Sequence, residues 1–255
     1  MRLTKHFASR ARRAYLSRLS LEALQEKLGA RRGVVILCYH ALSDALDAYP
    51  YRTRATAFDA HLSFLNQVFD ILPAVEAVEA LKDGTAETRT RPIAVITFDD
   101  GYRDNWTDAT PILEKHGTPG MLFASRDLIQ RDGDTYMSED ELRQLAAHPL
   151  WQVGAHGVSH NVLPGFLPVD QEREMTDCNA WLSDLLGAPP VGFAYPQGQI
   201  SETTVALARR HYDFAFSTDQ RLSNGFDAYQ IRRHCPVQAE DDVRVLARAL
   251  VEAII

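Results

Sequence analysis

The chain alternates short apolar runs with longer stretches in which apolar residues recur every three or four positions. The runs at 34–39 (VVILCY) and 93–98 (IAVITF) are rich in β-branched residues and lack polar alternation, the pattern of strands covered on both faces. Shorter runs of this kind lie at 119–125, 151–155, 191–195, 214–217 and 230–237. Between them, 58–69 sets Phe58, Leu62, Leu65 and Phe69 along one helical stripe, and 74–81 and 107–116 read as further helices. Ser138 with Glu141 is a capping-box signature for a helix ending near His148. Asp170 and Ser201 read as the caps of two more, ending at Leu186 and Arg210, and 241–254 as a closing helix. The stretch 41–57 is expected to be a loop, and 82–91, polar and glycine-containing, a variable or disordered one. Strand and helix in steady alternation predict an α/β fold with a mainly parallel sheet, most simply a closed or partly closed barrel.

Composition agrees with one such domain. A chain of 255 residues with 45% hydrophobic content can bury a barrel-sized core. The net charge of −7 is unevenly spread: residues 1–32 carry nine Lys or Arg and two Glu, a balance of +7, so the rest stands at −14. Tyr15, Leu16, Leu19, Leu21, Leu24 and Leu28 lie among those basic residues, which predicts an amphipathic helical extension, 1–32, ahead of a single domain, 33–255. Such a helix either touches an anionic membrane peripherally or packs its leucines on the domain, and apolar positions at helical spacing favour packing. The segment lacks the uninterrupted apolar stretch of a secretory signal, and no later run reaches membrane-spanning length. A cytoplasmic location is therefore expected, with peripheral contact at the inner membrane face left open. The acidic remainder, without a basic stripe, excludes nucleic acid as a partner. Cys38, Cys178 and Cys235 are scattered and odd in number, so buried thiols are expected rather than a disulfide framework or a thiolate zinc site. Barrel closure would bring Cys38 and Cys235 near each other.

The chemistry concentrates where strands end. Asp99 and Asp100 close the run at 93–98, and Gly101 permits a sharp exit. Two carboxylates beside a buried strand need a cation, a hydrogen-bond network or a proton to offset their desolvation. About sixty residues on, WQVGAHGVSH (151–160) leads a second strand into His156 and His160, spaced so that two imidazoles can share a metal ion.

TFDDGY (97–102), HGVSH (156–160) and FAYPQG (193–198), in this order, resemble the first three motifs of the polysaccharide deacetylases, the NodB-homology enzymes of carbohydrate esterase family 4. The resemblance spans 34–237. It implies a distorted (β/α) barrel with fewer than eight strands, Asp99 as general base, and Asp100, His156 and His160 as ligands of a divalent metal ion, usually Zn2+. It also implies a carbohydrate partner, an N-acetylated sugar from which acetate is released. In a parallel barrel the C-terminal strand ends gather the chemistry, and His40, Asp99, Asp100, His156, Tyr195, Ser217 and His234 fall there. A backbone N–H near Tyr195 is expected to meet the oxyanion, with Pro196 and Gly198 fixing that loop. Tyr102, together with Trp106, Tyr136 and Trp151, offers rings on which a sugar can stack.

Two departures from the family pattern shape the expectations. Ala194 stands where many members carry the arginine that orients the base, so Arg232 or Arg233 is expected to replace it. The late segment that supplies the family's histidine acid is not recognisable, and His234 and His40 are the candidates. These departures keep two other classes open: a glycan-binding module on the same barrel, and an amidase acting on a small substrate. Intact Asp99 argues against the first, because a binding module needs no base beside its metal.

Overall fold

The computed structural model describes residues 15–16, 18–42, 51–131, 133–218, 226–235 and 242–253. Its sheet has eight parallel strands: β1 (Val34–Tyr39), β2 (Asp70–Ile71), β3 (Ile93–Asp100), β4 (Gly120–Ala124), β5 (Trp151–Ala155), β6 (Phe193–Ala194), β7 (Ala215–Ser217) and β8 (Ile231–Arg232). Seven of them pair in the order β1-β3-β4-β5-β6-β7-β8. The two-residue β2 sits on the lower part of β3, pairing at Ile93 and Ala94, while β4 takes over from Thr97 upward. The ring closes where Leu37 of β1 bridges His234: Cys38 N–H donates to His234 O at 2.9 Å, and His234 N–H to Ile36 O at 2.7 Å. The fold is thus the expected distorted (β/α) barrel, with seven strands in its ring.

Strand alternation sorts the core into two layers. Val34, Ile36, Val95, Phe123 and Phe216 point into the barrel, which Ala77 and Val78 of α3 (Ala74–Lys82) help to fill. Val35, Leu37, Ile96, Phe98 and Leu122 point outward under the helices. Those helices include α1 (Leu21–Gly29), α2 (Ala55–Val68), α4 (Thr110–His116), α5 (Arg126–Ile129), α6 (Glu139–Ala147), α7 (Pro168–Leu186), α8 (Glu202–His211) and α9 (Val243–Ala253). Ser138 and Glu141 form the full capping box of α6, and Ser201 with Thr204 that of α8.

Several expectations are corrected in detail. The stretch 82–91 is ordered: Ala86 is buried, Arg89 and Arg91 pair with Asp70, and Arg91 also donates to the carbonyls of Asn66 and Phe69. Its charges staple the β2–β3 edge rather than solvating a free loop. Helix α7 begins at Pro168, whose missing N–H suits a first turn, so Asp170 lies inside that turn instead of capping it. The helix expected from 107 opens as a π turn, Asn105–Ala109, before α4. In the N-terminal segment, Leu24 and Leu28 of α1 and Leu16 are buried in the outer core, and α1 packs on α9. Residues 1–14 of that segment lie outside the described residues. Among the described residues, no helix is long and apolar enough to cross a membrane.

Candidate metal and catalytic site

The site grows out of strand parity. Along β3, Val95 and Thr97 face the barrel interior, and Asp99 continues that face at the mouth. By the same alternation Asp100 would turn outward, yet its backbone takes φ +75, a left-handed conformation costly for a non-glycine residue, and the turn brings its carboxylate back over the mouth. Gly101 follows at φ +87, a left-handed conformation that favours glycine, and a Cβ there would also press on the Ile129 methyl at 2.5 Å. After β5, His156 continues the inward face, Gly157 turns the chain, and His160, at φ +59, is a second non-glycine residue in the left-handed region.

These turns aim three atoms at one point. His160 Nε2 lies 3.0 Å, and His156 Nε2 3.5 Å, from Asp100 Oδ1. That oxygen is buried yet makes no well-formed hydrogen bond in the protein. Metal–ligand bonds of about 2.0–2.1 Å at tetrahedral angles separate ligand atoms by about 3.3 Å, so this donor set fits a divalent ion and leaves a fourth position free. His156 Nδ1 donates to Ala194 O at 2.7 Å, which fixes the tautomer and leaves Nε2 with its lone pair exposed to the site. Glu174 of α7 holds the rest of the loop. Its carboxylate accepts from Val158 N–H at 2.8 Å, Ser159 N–H at 2.9 Å and Ser159 Oγ at 2.7 Å.

Asp99 is held from the other side of the barrel. Arg233, two residues beyond Ile231 of β8 and on the same inward face, donates Nη1 to Asp99 Oδ1 and Nη2 to Oδ2, each at 2.6 Å. Its Nη1 also reaches Thr97 Oγ1 at 3.2 Å, and its guanidinium lies over Phe123 and Phe216. Of the two arginines expected near Asp99, Arg233 is thus the one that meets it. His40 stands half-buried at the mouth, its ring nitrogen within 4.8 Å of both the Asp99 carboxylate and the Cys38 thiol, and Tyr51 stacks on it at 5.1 Å. Cys38 Sγ donates to Asp99 Oδ2 at 3.3 Å.

The electrostatics follow this layout. Burial alone would raise the Asp99 carboxyl, but the Arg233 guanidinium, with His156 and His40 nearby, holds it well below the usual carboxylate range. Burial also opposes ionisation of Asp100, but the His160 and His156 imidazoles beside its carboxylate outweigh that and lower its pKa. Burial lowers His156 to about 4, against the pull of Asp99, so its imidazole is neutral near pH 7. His160 is also desolvated, yet the adjacent Asp100 carboxylate raises it above the ordinary imidazole value.

Other expected residues lie elsewhere. His234 falls between the inward-facing Arg233 and Cys235, so strand alternation turns it out of the barrel. There burial and Arg232 lower its pKa, and its Nε2 is buried without a hydrogen-bond partner. It does not join the site. The Tyr195 ring packs in the outer layer against Phe193, its hydroxyl donates to Tyr229 O, and its N–H is spent on Phe216 O. Pro196 has no N–H and Gly198 N–H donates to Tyr195 O, which leaves Gln197, exposed and at φ +55, as the remaining N–H of that turn. Gly198 acts structurally: at φ +67, a Cβ there would fall 1.9 Å from Thr218 Oγ1. Tyr102 is buried against Tyr136, and Trp151 is buried with its indole N–H on Thr110 Oγ1, so neither ring is open to a sugar. Cys38 as a neighbour of Asp99 and Glu174 as the anchor of the histidine loop are not among the residues the sequence singles out. Inward parity signals the first, and the second has no local signal.

The family model described as polysaccharide deacetylase matches residues 86–212. YxkH of Bacillus subtilis (strain 168), a polysaccharide deacetylase by name, is 27% identical over 177 residues, 69% of this chain, and the aligned region spans 60% of that protein's length. Among solved structures, the deacetylase PplD of Streptococcus pyogenes in complex with acetate superposes with a TM-score of 0.75 at 21% identity, covering 86% of this chain and 98% of that one. IcaB from Ammonifex degensii superposes at 0.73 with 24% identity, covering 86% and 97%. The structural likenesses establish the shared fold. The matched region contains all three motifs, and their residues meet at one end of the barrel: the chain belongs to the polysaccharide deacetylase family.

Proposed function

We propose that this protein is a metal-dependent hydrolase that removes an acetyl group from an N-acetylated sugar of a polysaccharide, a glycolipid or a precursor of one. The observation that carries this reading is the juxtaposition at one mouth of a ligand set, Asp100, His156 and His160, and a carboxylate, Asp99, kept ionised by Arg233. A divalent ion, Zn2+ on this donor set, supplies Lewis acidity and lowers the pKa of bound water.

The chain's own groups do the rest. Asp99, 3.8 Å from His156 Nε2 and not among the ligands, takes the proton of the attacking water. Arg233 keeps that carboxylate charged and orients both of its oxygens. The Gln197 N–H donates to the oxyanion of the acetamido group. His40, the candidate acid on the inward face, gives a proton to the departing amine, and acetate and an amino sugar are the products. A glycan-binding role is less well supported, since binding alone has no use for a buried bidentate arginine–carboxylate pair beside the ligand set.

The test is acetate release from a panel of N-acetylated monosaccharides, oligosaccharides and nucleotide sugars by protein stripped of metal and then reconstituted. Release that vanishes on stripping and returns with Zn2+ is expected. Tight metal binding without release from any member of the panel would overturn the deacetylase reading.

A further inference from the structure

A second set of metal-binding atoms lies beside the first. Cys38 Sγ, a ring nitrogen of His40 and a carboxylate oxygen of Asp99 all fall within 4.8 Å of one another, and none of them belongs to the Asp100–His156–His160 set. Strand parity produces the cluster: Cys38 and His40 alternate onto the inward face of β1 and its extension, opposite Asp99 on the neighbouring β3. Alternation also puts Cys235, beyond β8, on the inward face across the closing seam from Cys38. Thiolate, imidazole and carboxylate together are the donor types that select borderline and soft divalent ions over Mg2+ or Ca2+.

Arg233 is the obvious objection, since its charge repels a cation. Its two bonds use one lone pair on each Asp99 oxygen, and Oδ2 spends another on the Cys38 S–H. A metal ion can take the place of that thiol hydrogen: the S–H bond breaks, the proton leaves to solvent, and sulfur and carboxylate oxygen share the ion. Thiolate and carboxylate then set two negative charges against the ion's two and the one of Arg233, which stays where it is, so the site is held chiefly by the metal–sulfur bond. The Cys38 proton is engaged by Asp99 and a guanidinium stands beside that carboxylate, so only an ion with strong affinity for sulfur displaces the proton. This site should therefore fill after the first and discriminate by metal.

We propose that Cys38, His40 and Asp99 form a second site for a thiophilic divalent ion, Zn2+ in excess or Cd2+, and that its occupation withdraws the base from catalysis. The binding claim stands independently of the function proposed above; the inhibitory consequence rests on it.

The experiment titrates the metal-free full-length protein with Cd2+, following thiolate-to-cadmium charge-transfer absorption in the ultraviolet and metal stoichiometry by equilibrium dialysis. The wild type is expected to bind two equivalents, with the absorption growing over the second. Cys38→Ser, which keeps a hydroxyl donor to Asp99, is expected to bind one equivalent without the absorption, and His40→Gln to weaken the second equivalent by about tenfold or more. One equivalent in the wild type, or undiminished absorption in Cys38→Ser, overturns the proposal. If Cys38→Ser does not fold, an unchanged second affinity in His40→Gln overturns it. In the acetate assay, excess Zn2+ should inhibit the wild type and spare Cys38→Ser. A protein inactive on every substrate would count against the deacetylase reading alone, because the spectral titration decides the metal site without turnover.

Discussion

Asp99 and Asp100 are adjacent in sequence, yet the two halves of the barrel mouth treat them differently. The half around Asp99 is assembled across the β1–β8 seam and sets a permanent cation, Arg233, against both carboxylate oxygens. The half around Asp100 is assembled from the end of β3 and the loop after β5 and presents imidazole nitrogens, of which His156 is neutral near pH 7. A guanidinium cannot give up its proton, so it keeps a carboxylate ionised without supplying any ligand. Neutral imidazoles leave lone pairs that a metal ion can use. The backbone separates the two roles: β-alternation directs Asp99 inward, and the left-handed turn at Asp100 redirects the second carboxylate.

If the two halves are distinct, substitutions should part them. The largest effect is expected from Asp99→Asn, with kcat/KM for acetate release down by about 10²–10⁴-fold while Zn2+ content after dialysis stays at the wild-type level. His156→Ala should do the reverse in order of cause, losing the metal first and activity with it. If Asp99→Asn also sheds its metal, the division of labour drawn here fails.

Arg233→Met should act on the first half alone. It leaves Asp99 buried without a partner, for a destabilisation of roughly 3–5 kcal/mol by urea unfolding, much of it recovered when Asp99→Asn is added. The pH dependence has a defined sign. The native Asp99 pKa is depressed, so the pair contributes stability that is fully present above the unfolded carboxyl pKa of about 3.9 and is lost as pH falls below it. Arg233→Met should abolish that acid-side dependence and move the acid limb of kcat/KM to higher pH. An unmoved limb would mean that Arg233 does not govern the base.

Glu174→Gln tests the second half more gently. Without its full charge the clamp on the Val158 and Ser159 N–H groups loosens, and Zn2+ affinity should fall by about tenfold while the Asp99–Arg233 stability term is unchanged. The smallest effect is expected at His234, where replacement by Gln should leave kcat/KM within about twofold of wild type, because surface and outer-layer changes away from the reacting atoms act weakly. A fall of tenfold or more there would return His234 to the list of acids.

The Asp100 half was the more legible from sequence because it is local. An acid pair at the end of a buried strand and two histidines four residues apart place their ligands within two short segments, and only the pairing of β3, β4 and β5 is needed to join them. The Asp99 half depends on a contact 134 residues long, for which the sequence offered two arginines and two histidines. Period-two alternation chooses among them. Ile231 inward puts Arg233 and Cys235 inward and Arg232 and His234 outward, and Ile36 inward carries Cys38 and His40 to the same face. The aromatic residues misled for a related reason: Tyr102 and Tyr195 lie in the right motifs, but the turn after β3 and the parity of β6 send their rings into packing.

By itself, then, the sequence determined the alternation of strands and helices, the N-caps of α6 and α8, the parallel barrel and the residue types of the metal set, because each rests on periodicity or short spacing. Only the tertiary structure decided which arginine meets Asp99, which histidine reaches the mouth, which N–H of the 193–198 turn stays uncommitted and where Cys38 points. Those choices depend on how the last strand registers against the first, and the free energy of that register comes from side chains far apart in the chain.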